Sequence, residues 1–165
     1  METRVEFETD LRPSQVQLKQ ILVPTDFSEP SQNALRYALR FAKEFGAQLT
    51  LLHVVEKTAI GAGRDIPGHM GYTDEQKTIA EKNLRALTAS SEAAGAIKIA
   101  STLREGVPAD EILAAAKDLD TDLIVIGTHG YKGWKRLLLG SAAQKVVRDA
   151  PCPVFIVREK EHEFI

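Results

Sequence analysis

A chain of 165 residues comfortably buries one hydrophobic core and seldom two, so a single domain is expected. Hydrophobic residues at 44% and charged residues at 27% match a folded globular protein and exclude disordered and fibrous classes. A formal net charge of −2, with Lys and Arg spread along the chain, leaves no basic surface for a phosphate backbone and argues against a nucleic-acid partner.

The longest apolar runs, such as Leu49 to Leu52 and Leu123 to Ile126, are far shorter than a bilayer span. Met1 to Asp10 is polar where a signal peptide would carry its apolar stretch. A cytoplasmic location without a membrane partner is the expectation. The single cysteine, Cys152 between Pro151 and Pro153, has no intramolecular disulfide partner and no metal-ligand spacing, and reads as a small buried filler.

Residues 1–19 are polar and without period, and read as an N-terminal extension to a domain over 20–158, with 159–165 as a C-terminal tail. Ile21-Leu22-Val23, stopped by Pro24, predicts a first strand buried on both faces. Ser28 stands at a helix N-cap position with Pro30 in the first turn. Ala34, Leu35, Ala38, Leu39, Phe41, Ala42 and Phe45 then recur at helical spacing until Gly46.

Leu49 to Val55 predicts the second strand, and Thr58 to Tyr72, with four glycines and a proline, a connecting loop. Thr73 and Gln76 have the form of a capping box opening a helix with Ile79, Leu84 and Leu87 inward, ending near Gly95. Ile97 to Leu103 is less apolar and suits an edge strand. Gly106-Val107-Pro108 opens a third helix with Ile112, Leu113 and Ala116 inward, and Asp122 to Ile126 is the fourth strand. Ser141 is placed to cap the last helix before the final strand, Val154 to Val157.

The alternation βαβαβαβαβ implies an α/β fold: a parallel sheet with right-handed crossovers and helices on both faces. Ligands of such sheets bind beyond the carboxyl ends of the strands, where the strand order reverses. The candidate loops are therefore 24–28, 54–72, 104–108 and 127–141.

One of these is chemically unusual: Gly127-Thr128-His129-Gly130, nine further residues, then Gly140-Ser141 opening a helix. Gly127 and Gly130 permit positive φ and close backbone approach to a ligand. Gly140-Ser141 gathers bare N–H groups, the positive end of a helix dipole and a hydroxyl, which together suit an anion. Either half alone also occurs in proteins that bind nothing; the combination is what points to a phosphate cradle. The loop matches neither a Walker A sequence nor G-x-G-x-x-G.

Taken together, ILVPTDFS over 21–28, the GVP of 106–108, GTHGYKGWKRLLLGS over 127–141 and the terminal VVRDAPCPVFIVR resemble the universal stress protein family, from about Lys19 to Arg158. The spacing G-x2-G-x9-G-S resembles the ATP-binding branch of that family. The resemblance implies a three-layer, Rossmann-like sandwich with strand order 3-2-1-4-5, and so a pocket between the first and fourth strands.

Carried over by position, Pro24 and Val54 would line the adenine slot, Thr25 would belong to the same cofactor site, and Asp26 would bond the ribose or help hold a metal. Gly127, His129, Gly130, Gly140, Ser141 and Ala142 would surround the phosphates. Ala142 stands near where the family often has a hydroxyl residue, which leaves backbone contacts there. The implied cofactor is ATP, with AMP or ADP as alternatives and Mg²⁺ as a companion ion. The implied function is a nucleotide-dependent stress-response regulator with at most slow hydrolysis. An adenine-nucleotide α-hydrolase using the same pocket is the alternative.

On the residues alone, Asp26 also serves as an ordinary acidic residue near a helix N-terminus, and His129 as a solvent-facing loop histidine. No catalytic residue is assigned, because no acid–base pair accompanies the loop. Lys132, Lys135 and Arg136 read as a solvated basic run, and Trp134 with Leu137 to Leu139 as loop packing. A flavodoxin or a phosphoacceptor receiver shares the alternation, but the chain lacks the flavin loop and an acidic pair beside Asp26. The apolar strand Val154 to Val157 at a sheet edge, with the family likeness, predicts a homodimer.

Overall fold

The computed structural model describes residues 17–56, 74–95, 97–128 and 140–158. The first apolar run forms β1, Gln20–Pro24, with Ile21, Leu22 and Val23 fully buried. Both faces of this strand are covered, which is why it lacks any polar alternation. Helix α1, Glu29–Phe45, follows and ends where Gly46 takes the left-handed conformation at φ 67 and donates its N–H to the Ala42 carbonyl.

Next come β2, Gln48–Val55, α2, Asp74–Gly95, and β3, Ile99–Glu105. Then follow α3, Pro108–Asp118, β4, Leu123–Gly127, α4, Ser141–Asp149, and β5, Val154–Val157. The five strands form one parallel sheet in the order β3-β2-β1-β4-β5, as the resemblance implied. β3 and β5 are its edges. No helix among the described residues is long and apolar enough to cross a membrane.

Two hydrophobic layers sandwich the sheet. On one face α1 and α2 cover Ile21, Val23, Leu49, Leu51 and Val125, with Ala34, Ala38 and Leu84 facing them. On the other, α3 and α4 cover Leu22, Leu52, Ile124 and Ile126 with Ile112, Ala115, Ala143 and Val146. The small helix residues let the helix backbones lie close to the sheet.

At the amino-terminal ends of β1 and β4, the Asp122 carboxylate accepts the N–H groups of Lys19 at 2.7 Å and Gln20 at 2.9 Å. The Asp122 N–H in turn reaches the Gln20 carbonyl at 2.9 Å. One side chain thus ties the start of β1 to the start of β4. These hydrogen bonds hold its carboxyl below the ordinary carboxylate range.

Several local expectations are corrected. The third strand begins at Ile99 rather than Ile97 and runs on to Glu105; the Ile99 N–H is taken by the Glu92 side chain at 2.8 Å. Ile79 does not face inward but is 52% exposed, because Ala80 and Leu84 occupy the buried face of α2. Phe45, in the last turn of α1, is 45% exposed, while Tyr37 joins the core instead. The loop over 58–72 and Thr73 of the capping box lie outside the described residues.

Neither serine caps its helix. Ser28 stands at the N-cap of α1 without a side-chain capping bond, and its hydroxyl donates to Asp26 instead. Ser141 is already the first residue of α4, and Gly140 takes the N-cap position with φ −59 and ψ 151. Cys152 is only partly buried, packed beside the α3 and α4 core. Desolvation raises its thiol above the ordinary value.

Candidate functional site

β1 and β4 lie side by side, and their chains depart to opposite faces of the sheet: β1 into α1 on one side, β4 toward α4 on the other. This divergence opens a cavity of about 330 Å³ at the carboxyl ends of the strands. Its size is within the range of small-ligand sites. Leu52, Val54, Ile112 and Ile126 supply an apolar wall, with Pro24 and Pro108 beside them.

The polar lining comes from three places. Thr25, Asp26 and Ser31 belong to the turn after β1 and the first turn of α1. Gly127 and Thr128 end β4, and Gly140, Ser141, Ala142 and Ala143 open α4. Glu56, just past β2, completes the set. No Lys or Arg belongs to the described lining.

The α4 end has the physical features that suit an anion. Its first helical bond runs from the Gln144 N–H to the Gly140 carbonyl at 2.9 Å, and the Gly140 N–H is spent on the Thr128 carbonyl at 2.8 Å. The N–H groups of Ser141, Ala142 and Ala143 therefore precede the helical ladder. They carry the positive end of the dipole into a stretch with no acidic residue in the first turn. The short side chains at 141–143 leave the approach open.

The Asp26 side is held by a tight local network. Asp26 Oδ1 accepts the Ser28 N–H at 3.1 Å and the Ser28 hydroxyl at 2.5 Å. Thr25 Oγ1 accepts the Phe27 N–H at 3.1 Å and lies 3.1 Å from Ser31 Oγ. Between them Phe27 adopts φ 66, a left-handed conformation rare for an aromatic residue and costing about 1–3 kcal/mol. Its ring is packed on that of His53, centroids 4.5 Å apart. Such ring contacts contribute about 0.5–1.5 kcal/mol beyond burial and offset part of the strain.

Eight of the ten residues singled out from the sequence line this one cavity: Pro24, Thr25, Asp26, Val54, Gly127, Gly140, Ser141 and Ala142. His129 and Gly130 lie outside the described residues, as do the basic run and Trp134. Gly127 is where expected, but for a different reason. Its φ is not in the left-handed region; instead a Cβ there would stand 2.7 Å from the Pro30 carbonyl oxygen and 3.1 Å from the Ser31 nitrogen. The glycine lets α1 approach the end of β4, which closes the floor between the two loops.

Sequence reasoning placed Glu56, Pro108 and Thr128 in candidate loops without assigning them to the site, and it missed Ser31 and Ala143 in the lining and His53 beneath the Asp26 turn. Glu56 and Pro108 had a usable signal: Glu56 directly follows β2, and Pro108 opens α3 after the short turn that leaves β3. Among the described residues no group of three or more His, Cys, Asp or Glu is gathered to hold a metal ion. An ion beside Asp26 would need further oxygens from a ligand, which is how Mg²⁺ is commonly held.

Comparisons with known proteins agree with the architecture. The family model described as the universal stress protein family matches residues 17–158. The chain is 37% identical over 146 residues to a universal stress protein of Methanocaldococcus jannaschii, covering 88% of this chain and 85% of that one. It is 34% identical to the universal stress protein YxiE of Bacillus subtilis, covering 84% and 97%. Among solved structures, the universal stress protein UspA from Lactobacillus plantarum is 27% identical with a TM-score of 0.69, covering 87% and 99%. A universal stress protein solved in complex with cAMP is 26% identical with a TM-score of 0.66, covering 88% and 100%. With the five-stranded sheet, its switch-point cavity and matches spanning nearly the whole described domain, the chain belongs to the universal stress protein family.

Proposed function

We propose that the chain binds an adenine nucleotide, ATP in the first place, and acts as a nucleotide-dependent stress-response regulator with at most slow hydrolysis. The observation that carries this reading is the convergence of the Asp26 turn and the bare N-terminus of α4 on one cavity with an apolar wall. The base would lie against Pro24, Thr25 and Val54, and the ribose hydroxyls would face Asp26. The phosphates would meet the N–H groups of 141–143, with Gly140 leaving room for their approach, and the segment containing Gly127, His129 and Gly130. The cAMP complex of a similar chain supports an adenine ligand over other anions.

The electrostatics favour a companion cation. Asp26 and Glu56 put two carboxylates around a cavity whose described lining has no basic side chain. A polyphosphate there gains from Mg²⁺ shared between its oxygens and Asp26, whereas AMP needs no ion. The ion would supply charge neutralisation; Asp26, already fixed by Ser28, would orient it. No described pair of side chains is arranged as acid and base for cutting a phosphoanhydride, so retention of the nucleotide is the expected behaviour.

The apolar edge strand β5 would pair two copies into a homodimer, and the cytoplasm is the proposed location. The deciding experiment is identification by mass of the nucleotide that co-purifies, followed by phosphate release over hours with and without Mg²⁺. Bound ATP with negligible turnover is the expected result. Multiple turnovers would make the chain an α-hydrolase-type enzyme, and no binding of ATP, ADP or AMP would end the proposal.

A further inference from the structure

We propose that His53 is the positioning residue that holds Asp26 in its ligand-facing orientation. The residues on either side of Asp26 are both held by this one imidazole. Before it, the Thr25 carbonyl accepts a hydrogen bond from His53 Nδ1–H at 2.7 Å; a carbonyl can only accept, so the proton is on Nδ1. After it, the Phe27 ring packs on the same imidazole at 4.5 Å.

The placement of His53 makes this possible. Successive β2 side chains alternate across the sheet, so His53 shares the α1 and α2 face with Leu49 and Leu51. Leu52 and Val54 point the other way and line the cavity. His53 therefore grips the turn from the face away from the ligand. Phe27, partly buried on the His53 face, reverses the chain at φ 66, and Asp26 is left on the cavity side. Gln32 Nε2 adds a bond to the Phe27 carbonyl at 3.0 Å, which restrains the exit of the turn.

A left-handed phenylalanine persists only where its surroundings over-determine it. Removing the imidazole donor frees the Thr25 carbonyl and lets Phe27 relax to negative φ, which swings the Asp26 carboxylate away from its bonds to Ser28. His53 touches no ligand in this scheme; it acts through Asp26. The inference rests on the nucleotide reading above for its functional consequence, but not for the latch itself.

The test combines three measurements. Isothermal titration with ATP and Mg²⁺ compares the parent with His53→Phe, which keeps a ring and loses the donor, and His53→Asn, which keeps an amide donor. We expect about tenfold weaker binding for His53→Phe, the scale of one lost hydrogen bond, and substantial recovery in His53→Asn. On an Asp26→Ala background His53→Phe should have no further effect, since its action runs through that carboxylate. Parent-like affinity in folded His53→Phe, or the same loss with Asp26 removed, would overturn the proposal.

Two NMR readouts require no nucleotide. The imidazole ¹⁵N shifts of the parent should report the Nδ1–H tautomer, and an Nε2–H tautomer would overturn the latch even if no variant folds. The intraresidue amide–Hα cross-peak of Phe27 should be strong in the parent, as positive φ requires, and weaken in His53→Phe. If the parent binds no nucleotide, the proposed function falls and these two readouts still decide the latch.

Discussion

A methyl group on Gly127 would stand 2.7 Å from the carbonyl oxygen of Pro30, so the end of β4 and the first turn of α1 touch backbone to backbone. Neither side can retreat as a flexible side chain would. Gly127→Ala should therefore destabilise the fold by about 1–3 kcal/mol, as overpacking does in other cores. Thermal unfolding would show this as a melting temperature lowered by several degrees. An unchanged melting temperature would mean that α1 is free to shift and that the close approach does not require the glycine.

Gly140→Asp separates stability from binding. Gly140 already has the extended dihedrals of an N-cap, a position where aspartate favours a helix. The variant should fold with stability equal to the parent or higher by up to about 1 kcal/mol. In the proposed nucleotide site the added carboxylate would meet the phosphates, so ATP affinity should fall by at least about 100-fold. Retained affinity would show that the phosphates lie elsewhere.

Asp122 gives the fold an acid-sensitive tie. The N–H groups of Lys19 and Gln20 depress its folded-state pKa below the ordinary 3.8, so its stabilisation is complete above that value. It is lost as pH falls through the depressed folded value. Asp122→Asn should melt below the parent at neutral pH, and the two curves should converge in strong acid. A gap that stays constant down to the acid limb would show that the charge contributes nothing.

The thiol of Cys152 should be sluggish. Desolvation is the largest influence on it and raises its pKa, and the nearby Asp122 charge acts in the same direction. Alkylation by iodoacetamide should be slower than for free cysteine throughout about pH 7 to 9, because only the thiolate reacts. Faster reaction than the free amino acid would identify an activating group near β5.

Much of this was legible in the chain itself. The alternation of apolar runs and amphipathic stretches carries the element order, and the loops after β1 and before α4 carry much of the cavity lining, because glycine, proline and acidic residues mark strand ends and helix starts. What was not legible depends on contacts across the sheet. Gly127 signals backbone freedom, but only the position of Pro30 reveals that the freedom needed is space. Ser28 has the form of a cap, yet its hydroxyl is taken by Asp26, a competition that sequence cannot arbitrate. His53 sits in the run LLHVV and reads as strand filler. A polar residue in the same register as Leu49 and Leu51 was the only hint that something on that face required a donor. Phe27 carries no sign of its left-handed backbone, because aromatic residues seldom adopt it.

The described walls of the cavity come from an early stretch of chain, 24–56, and a late one, 108–128 with 140–143, which meet where β1 pairs with β4 at Ile21 with Leu123 and Leu22 with Ile124. A molecule lodged there is a non-covalent cross-link between the two halves of the domain. Its grip is lost as soon as they part, so occupancy taxes every global opening of the chain by an amount that grows with the logarithm of ligand concentration. Protease resistance and amide exchange would then follow the ligand supply, and the lifetime of the folded protein would itself become a gauge of how much ligand surrounds it.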